Sequence, residues 1–188
     1  PNIKLGNKVR NMNKNIPIIY YIAPQEWAWR LGDSGTTNLI KFTDKILAIF
    51  RAEADFYQAR GGTVTWVGHP MLDSIPKLPT KEESYRKLNL DEKKKILLLF
   101  PASRPQEMRY ILPVLIKTAY LLQKKHPSIY VIIPSSLEIF DEKLKEALKI
   151  SGIEGRVIPA SDGDEIKPYL FAISDLALSK SGTINMEL

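Results

Sequence analysis

Apolar residues are distributed along the chain in two alternating patterns. Short apolar runs predict strands at Ile16–Ile22, Lys45–Phe50, Thr63–Val67, Ile96–Phe100, Ile129–Ile133, Val157–Ile158 and Leu176–Leu178. Several of them are continuously apolar and do not alternate, which is the pattern of parallel strands covered on both faces. Between them lie stretches with helical spacing. Met108, Ile111, Leu112, Leu115, Ile116, Ala119 and Leu122 fall on one face, and Pro113 is expected to kink that helix. Phe140, Leu144, Ala147 and Leu148 form a second stripe, ended by Ser151-Gly152. Thr80 and Glu83 have the spacing of a capping box. Strands alternating with helices predict βαβ units with right-handed crossovers.

Pro70, Pro76 and Pro79 interrupt this alternation in a stretch without helical or strand period. The expected organisation is two α/β lobes: residues 1–68, a linker over 69–80, and residues 81–188. Neither lobe holds the five or six strands of a doubly wound sheet, so a piece of a longer protein is expected.

Composition narrows the chemistry. Of 188 residues, 44% are hydrophobic and 26% charged, the balance of a folded globular chain. No apolar run approaches the roughly 18 residues of a membrane-spanning helix. Cysteine is absent, which excludes disulfides and thiolate metal sites, and two histidines are too few for an ordinary zinc site. The net charge of +6 allows phosphates, nucleic acid or an acidic membrane face as partners. The lysines are scattered, and Lys93-Lys94-Lys95 reads as a solvated run, so nucleic acid is not an expected partner.

Three segments can carry chemistry. Phe100–Glu107 follows a predicted strand and opens a helix, the place where parallel α/β proteins hold phosphate. There Ser103 offers a hydroxyl and Arg104 a guanidinium able to grip a phosphate bidentately; a plain turn capped by Ser103 gives the same pattern. Ser179–Thr183 is the second, with small residues around Gly182 and with Glu187 about a turn further on, near enough to accept hydrogen bonds from a ribose. Capping by Ser181 or Thr183 also explains it. Tyr20–Arg30 is the third: two tyrosines, two tryptophans, Glu26 and Arg30 suit a sugar or an aromatic corner between lobes. Asp162-Gly163-Asp164 reads as a surface turn, not a metal-diphosphate site. A Ser103, His69, Asp73 hydrolase triad lacks any G-x-S-x-G context.

Taken together and in order, Tyr20–Arg30 (YYIAPQEWAWR), Glu53–Tyr57 (EADFY), Val67–Asp73 (VGHPMLD), Phe100–Glu107 (FPASRPQE) and Ser179–Leu188 (SKSGTINMEL) resemble the lipid-A-disaccharide synthase family. That resemblance implies two Rossmann-like lobes of a GT-B glycosyltransferase, both incomplete in this chain. It implies transfer of an acylated glucosamine from UDP to an acylated glucosamine 1-phosphate, forming a β(1→6) disaccharide in lipid A biosynthesis. It further implies a cytoplasmic enzyme, peripheral on the inner membrane, with a UDP-sugar and a glycolipid acceptor as partners. No cofactor or metal is expected, since UDP-sugar is a substrate. Ser103 and Arg104 match the family's phosphate-facing loop, and Ser181, Gly182, Thr183 and Glu187 match its second nucleotide-binding loop.

The chain departs from the family in a small way at Phe100 and Ala102, which replace its usual Leu and Gly, and in a larger way at Asn2. Asn2 falls where the family has its catalytic aspartate, and an asparagine cannot take a proton from an acceptor hydroxyl. Asn2 favours a second reading, a non-catalytic sugar-nucleotide or lipid-binding relative; a third, a UDP-GlcNAc epimerase-like enzyme of the same two-lobed architecture, shares the nucleotide loops.

Overall fold

Among the described residues, seven strands form at the seven apolar runs, and all of these pair in parallel. The computed structural model of the protein describes residues 2–28, 34–74, 77–182 and 184. The chain divides into two compact units, Pro1–Ser74 and Ile75–Leu188.

In the first unit, β1 (Ile19–Tyr21), β2 (Lys45–Ala48) and β3 (Val64–Trp66) form a sheet in that order. The helices α1 (Asn2–Met12), α2 (Ser34–Phe42) and α3 (Arg51–Gln58) accompany them. Leu39, Phe42, Ile46 and Tyr57 are buried together at its centre. The strand expected over Ile16–Ile22 is shorter, because Pro17 has no N–H to give to a ladder. A 3-10 turn, Pro70–Ser74, closes the unit.

The second unit runs α4 (Lys81–Leu88), β4 (Lys95–Phe100), α5 (Pro105–Tyr110), α6 (Leu112–Lys125), β5 (Ile129–Pro134), α7 (Glu138–Ser151), β6 (Gly155–Ile158), α8 (Gly163–Ile173) and β7 (Ser174–Ser179). Its strand order is β6-β5-β4-β7. Burial on β4 explains its unbroken apolar run. Leu97 and Leu99 pack with Met108, Leu112 and Phe140 on one face; Ile96 and Leu98 pack with Tyr85, Leu170 and Ile173 on the other. Successive strand residues point to opposite faces, and helices cover both.

Local signals set the helix ends. Thr80 Oγ1 accepts the Glu83 N–H at 3.2 Å while Glu83 Oε2 accepts the Thr80 N–H at 2.9 Å. Gly152, at φ +68°, ends α7 in the left-handed conformation that glycine adopts without penalty. Two expectations need correction. The single helix kinked at Pro113 is two helices, α5 and α6, broken at Ile111. Pro113 sits in the first turn of α6, where its missing N–H has no partner to lose. Asp162-Gly163-Asp164 is not a surface turn but the entry to α8, with Asp164 and Glu165 in its first turn, where the helix dipole favours negative charge.

Candidate functional site

The path of the second unit decides where a ligand crevice can form. From β4 the chain crosses to β5 and then β6 on one side; from β6 it returns through α8 to place β7 on the other side of β4. Helices α5, α6 and α7 feed one core and α4 and α8 the opposite one. With right-handed crossovers, changing the covered face reverses the direction in which strands are added. The reversal lies between β4 and β7, and their carboxyl ends flank the crevice where open parallel sheets take ligands.

Both phosphate-loop candidates of the sequence sit there. Ser103 and Arg104 follow β4, while Ser181 and Gly182 follow β7; all four are exposed. The loops are tied together. The Lys180 N–H donates to the Phe100 carbonyl at 3.1 Å, and the Lys180 Nζ donates to Ser103 Oγ at 2.8 Å and Glu107 Oε1 at 3.1 Å. On the other side of β4, Ser136 Oγ donates to the Ala102 carbonyl at 2.8 Å. Thr183 and Glu187 lie outside the described residues.

Glu107 organises the loop after β4. Its Oε2 accepts the Ser103 N–H at 2.6 Å, the Arg104 N–H at 3.1 Å and the Ser103 hydroxyl at 3.2 Å. Burial pushes this carboxyl up, but the Ser103 N–H and the Lys180 ammonium outweigh burial and hold it below the usual carboxylate range. The backbone N–H groups of Ser103 and Arg104, just ahead of α5, are therefore engaged by the protein's own carboxylate. Arg104, whose guanidinium pairs with no carboxylate among the described residues, is exposed in the loop after β4, as Ser181 and Gly182 are in the loop after β7. Gly182 has φ +151°, and a Cβ there would lie 3.3 Å from Lys180 Nζ. The sequence reading missed Glu107 and Lys180 as site residues. No local pattern marks their pairing, because 73 positions separate them.

The aromatic segment of the first unit divides in two. Tyr20 packs edge-on against Phe42 in the core rather than lining a ligand wall. Trp27 stacks with Phe50 at 5.7 Å, and Phe50 with His69 at 5.4 Å, so three carboxyl-end loops share one aromatic corner. Thr36 Oγ1 donates to Glu26, and Trp27 Nε1 is buried without a partner among the described residues. Trp29 and Arg30 lie outside the described residues. Asn2 is the first residue of α1 and is exposed. His69 accepts the Met71 N–H on Nδ1, whereas Ser103 and Glu107 are engaged in the second unit.

A groove of about 720 Å³ between α6 and α7 is lined by Leu112, Ile116, Tyr120, Ala147 and Ile150. None of Ser103, Arg104 or Lys180 lines it, and its walls are largely apolar. Arg109, Lys117, Lys143 and Glu146 also line this groove, but no residue of the loops after β4 and β7 does. Among the described residues no helix is long and apolar enough to cross a membrane.

These features define a class: parallel α/β units of the Rossmann-like, GT-B kind, the second with a polar, cation-bearing crevice at its switch point. Comparison with solved structures agrees on the fold. The S. aureus MnaA-UDP co-structure matches 98% of this chain and 58% of its own, with a TM-score of 0.56 at 14% identity. A putative UDP-N-acetylglucosamine 2-epimerase from Listeria monocytogenes matches 98% of this chain and 57% of its own, with a TM-score of 0.51 at 10% identity. At such identities the likeness is one of fold.

The sequence is more specific. The family model described as lipid-A-disaccharide synthetase matches residues 1–188, and the chain belongs to the lipid-A-disaccharide synthase family. It is 54% identical over 187 residues to the lipid-A-disaccharide synthase of Prochlorococcus marinus (strain MIT 9313), covering 100% of this chain and 48% of that protein. It is 38% identical over 188 residues to that of Gloeothece citriformis (strain PCC 7424), again covering 100% and 48%. The chain thus spans about half the length of these relatives.

Proposed function

We propose that the complete protein transfers an acylated glucosamine from UDP to an acylated glucosamine 1-phosphate, forming a β(1→6) disaccharide. The observation that carries this reading is the pairing of the Arg104 and Gly182 loops across the switch point of a parallel sheet, in a chain of this family. In the reaction the acceptor hydroxyl attacks the anomeric carbon, the bond from that carbon to the diphosphate oxygen breaks, UDP leaves, and the hydroxyl proton passes to a general base or to the departing diphosphate. Arg104 would neutralise charge developing on the diphosphate, a role for a preorganised cation at the leaving group. The donors of the Ser181-Gly182 loop would complete the cradle, without a metal or other cofactor.

A glycolipid acceptor would bring the enzyme to the cytoplasmic side of the inner membrane as a peripheral protein, and the net charge of +6 on this chain is compatible with an acidic lipid face. The test is Arg104→Ala in the complete protein, with UDP binding measured by calorimetry. Loss of a bidentate guanidinium contact is expected to raise the Kd by roughly tenfold to a hundredfold. An unchanged Kd contradicts the assignment.

Asn2 favours a second reading, in which the family member binds the sugar nucleotide or lipid without turning it over, since an amide cannot act as the general base. An assay of UDP release with the native protein and with Asn2→Asp separates the two. A non-catalytic relative shows release only after the substitution, whereas a transferase with its base elsewhere shows it before.

A further inference from the structure

Among the groups described above, Lys180 reaches with its side chain from the loop after β7 to the loop after β4, and although it lies inside the Ser179–Thr183 segment no role had been assigned to it. Its side chain is 15% exposed and that of Glu107 18% exposed, so the pair is largely withdrawn from solvent. Three contacts close a ring. The ammonium donates to Ser103 Oγ and to Glu107 Oε1, and the Ser103 hydroxyl donates its own proton to Glu107 Oε2. The other donors on Glu107 Oε2 are the N–H groups of Ser103 and Arg104, so the same carboxylate holds the backbone from which the Arg104 side chain extends. At Gly182 a Cβ would stand 3.3 Å from the ammonium, so the absence of a side chain there leaves Lys180 its position.

We propose that Lys180 is a positioning residue of the crevice: held on the β7 side, it orients Glu107 and Ser103, and through them presents the Arg104 guanidinium to the diphosphate of a nucleotide. This rests on the nucleotide reading of the crevice. Lys180 acts here as a strut between loops and not as a phosphate ligand, because two of the three donors of its ammonium already face Ser103 and Glu107. A largely buried ion pair that also satisfies a hydroxyl is costly to break from one side, since the remaining charge is left without its partner.

The experiment uses the complete protein with UDP as probe. Calorimetric Kd values are measured for the wild type, Lys180→Met, Glu107→Gln, the double variant, Lys180→Arg and Arg104→Ala. Lys180→Met is expected to weaken UDP binding by about tenfold, and Lys180→Arg, which keeps a cation within reach of Glu107, to restore it to within about threefold. Because Lys180 acts through Glu107, the double variant should bind no worse than the weaker single variant. Losses that multiply in the double variant would mean that Lys180 contacts the nucleotide itself, and would overturn the proposal. So would a Lys180→Met Kd within twofold of the wild type while Arg104→Ala is weakened. If Lys180→Met does not fold, Lys180→Gln carries the same comparison, with a neutral donor in place of the cation. A wild type that binds no UDP, or an Arg104→Ala variant that binds it unchanged, removes the nucleotide reading and this inference with it.

Discussion

The Glu53 carboxylate holds Ala23 across 30 positions of sequence: its Oε1 accepts the Ala23 N–H at 3.1 Å. Its second oxygen accepts the Ile49 N–H at 2.8 Å and the Phe50 N–H at 3.2 Å, and the residue is fully buried. One side chain thereby joins the carboxyl ends of β1 and β2. Replacing Glu53 with Ala would strand three backbone donors in the interior. The expected loss is about 3 kcal/mol by denaturant unfolding. Asp55→Asn, which breaks only the exposed Arg51 pair, should cost less than about 1 kcal/mol. Equal losses for the two would show that the Glu53 staple contributes nothing.

Tyr57 makes the companion contact, its hydroxyl donating to the Pro24 carbonyl at 2.8 Å. Burial pushes this phenol well above its ordinary range, with help from the Glu26 and Glu53 charges. Above a pH of about 10 the unfolded chain releases this proton while the folded chain keeps it, so the native state binds more protons and stability falls as pH rises. Tyr57→Phe should cost about 1 kcal/mol at neutral pH and flatten the alkaline decline. Thermal unfolding across pH 8 to 11 checks both; a decline of the same steepness in the variant assigns it to other groups.

Strand β7 is clamped to β4 at both ends. Asp175 accepts the Ile96 N–H at 2.9 Å and the Lys95 Nζ at 3.1 Å, and Lys180 closes the far end on Ser103 and Glu107. Burial raises the Asp175 carboxyl, but the Ile96 N–H and Lys95 lower it further, as the Ser103 N–H and Lys180 do for Glu107. Both carboxyls titrate lower in the folded than in the unfolded state. Their contribution is present above the ordinary carboxylate pKa of about 4 and is lost as pH falls through the depressed values. In acid, the amides of β7 should lose hydrogen-exchange protection before those of β5. Asp175→Asn should remove part of that pH dependence, and an acid profile identical to the wild type would count against the clamp.

Leu98 is fully buried on β4, between neighbours β5 and β7. Leu98→Ala should cost about 2–5 kcal/mol, through lost burial and the cavity left behind. Leu121→Ala, at 54% exposure on α6, should stay within about 0.5 kcal/mol. Chemical denaturation of both variants tests whether the second unit draws its stability from the sheet core.

The local elements could be read from the chain because each depends on neighbours in sequence. Continuous apolar runs such as Ile96–Phe100 announced strands buried on both faces, Thr80 and Glu83 announced a helix start, and Gly152 a helix end. The misreadings were local too. Pro113 fits a new helix as well as it kinks an old one, and Asp164 suits a first helical turn as well as a loop. Ser103, Arg104, Ser181 and Gly182 stood out because small or cationic residues after a predicted strand carry their own physical meaning.

Which strand lies beside which has no such local signature. β7 could extend the sheet beyond β6 or return to β4; α8 packing on the face opposite α7 decides for β4. Only that return brings Lys180 to Glu107 and turns two separate turns of chain into the sides of one crevice. Contacts between residues far apart in sequence depend on how the whole sheet is wound, and that winding is settled by packing on both faces at once.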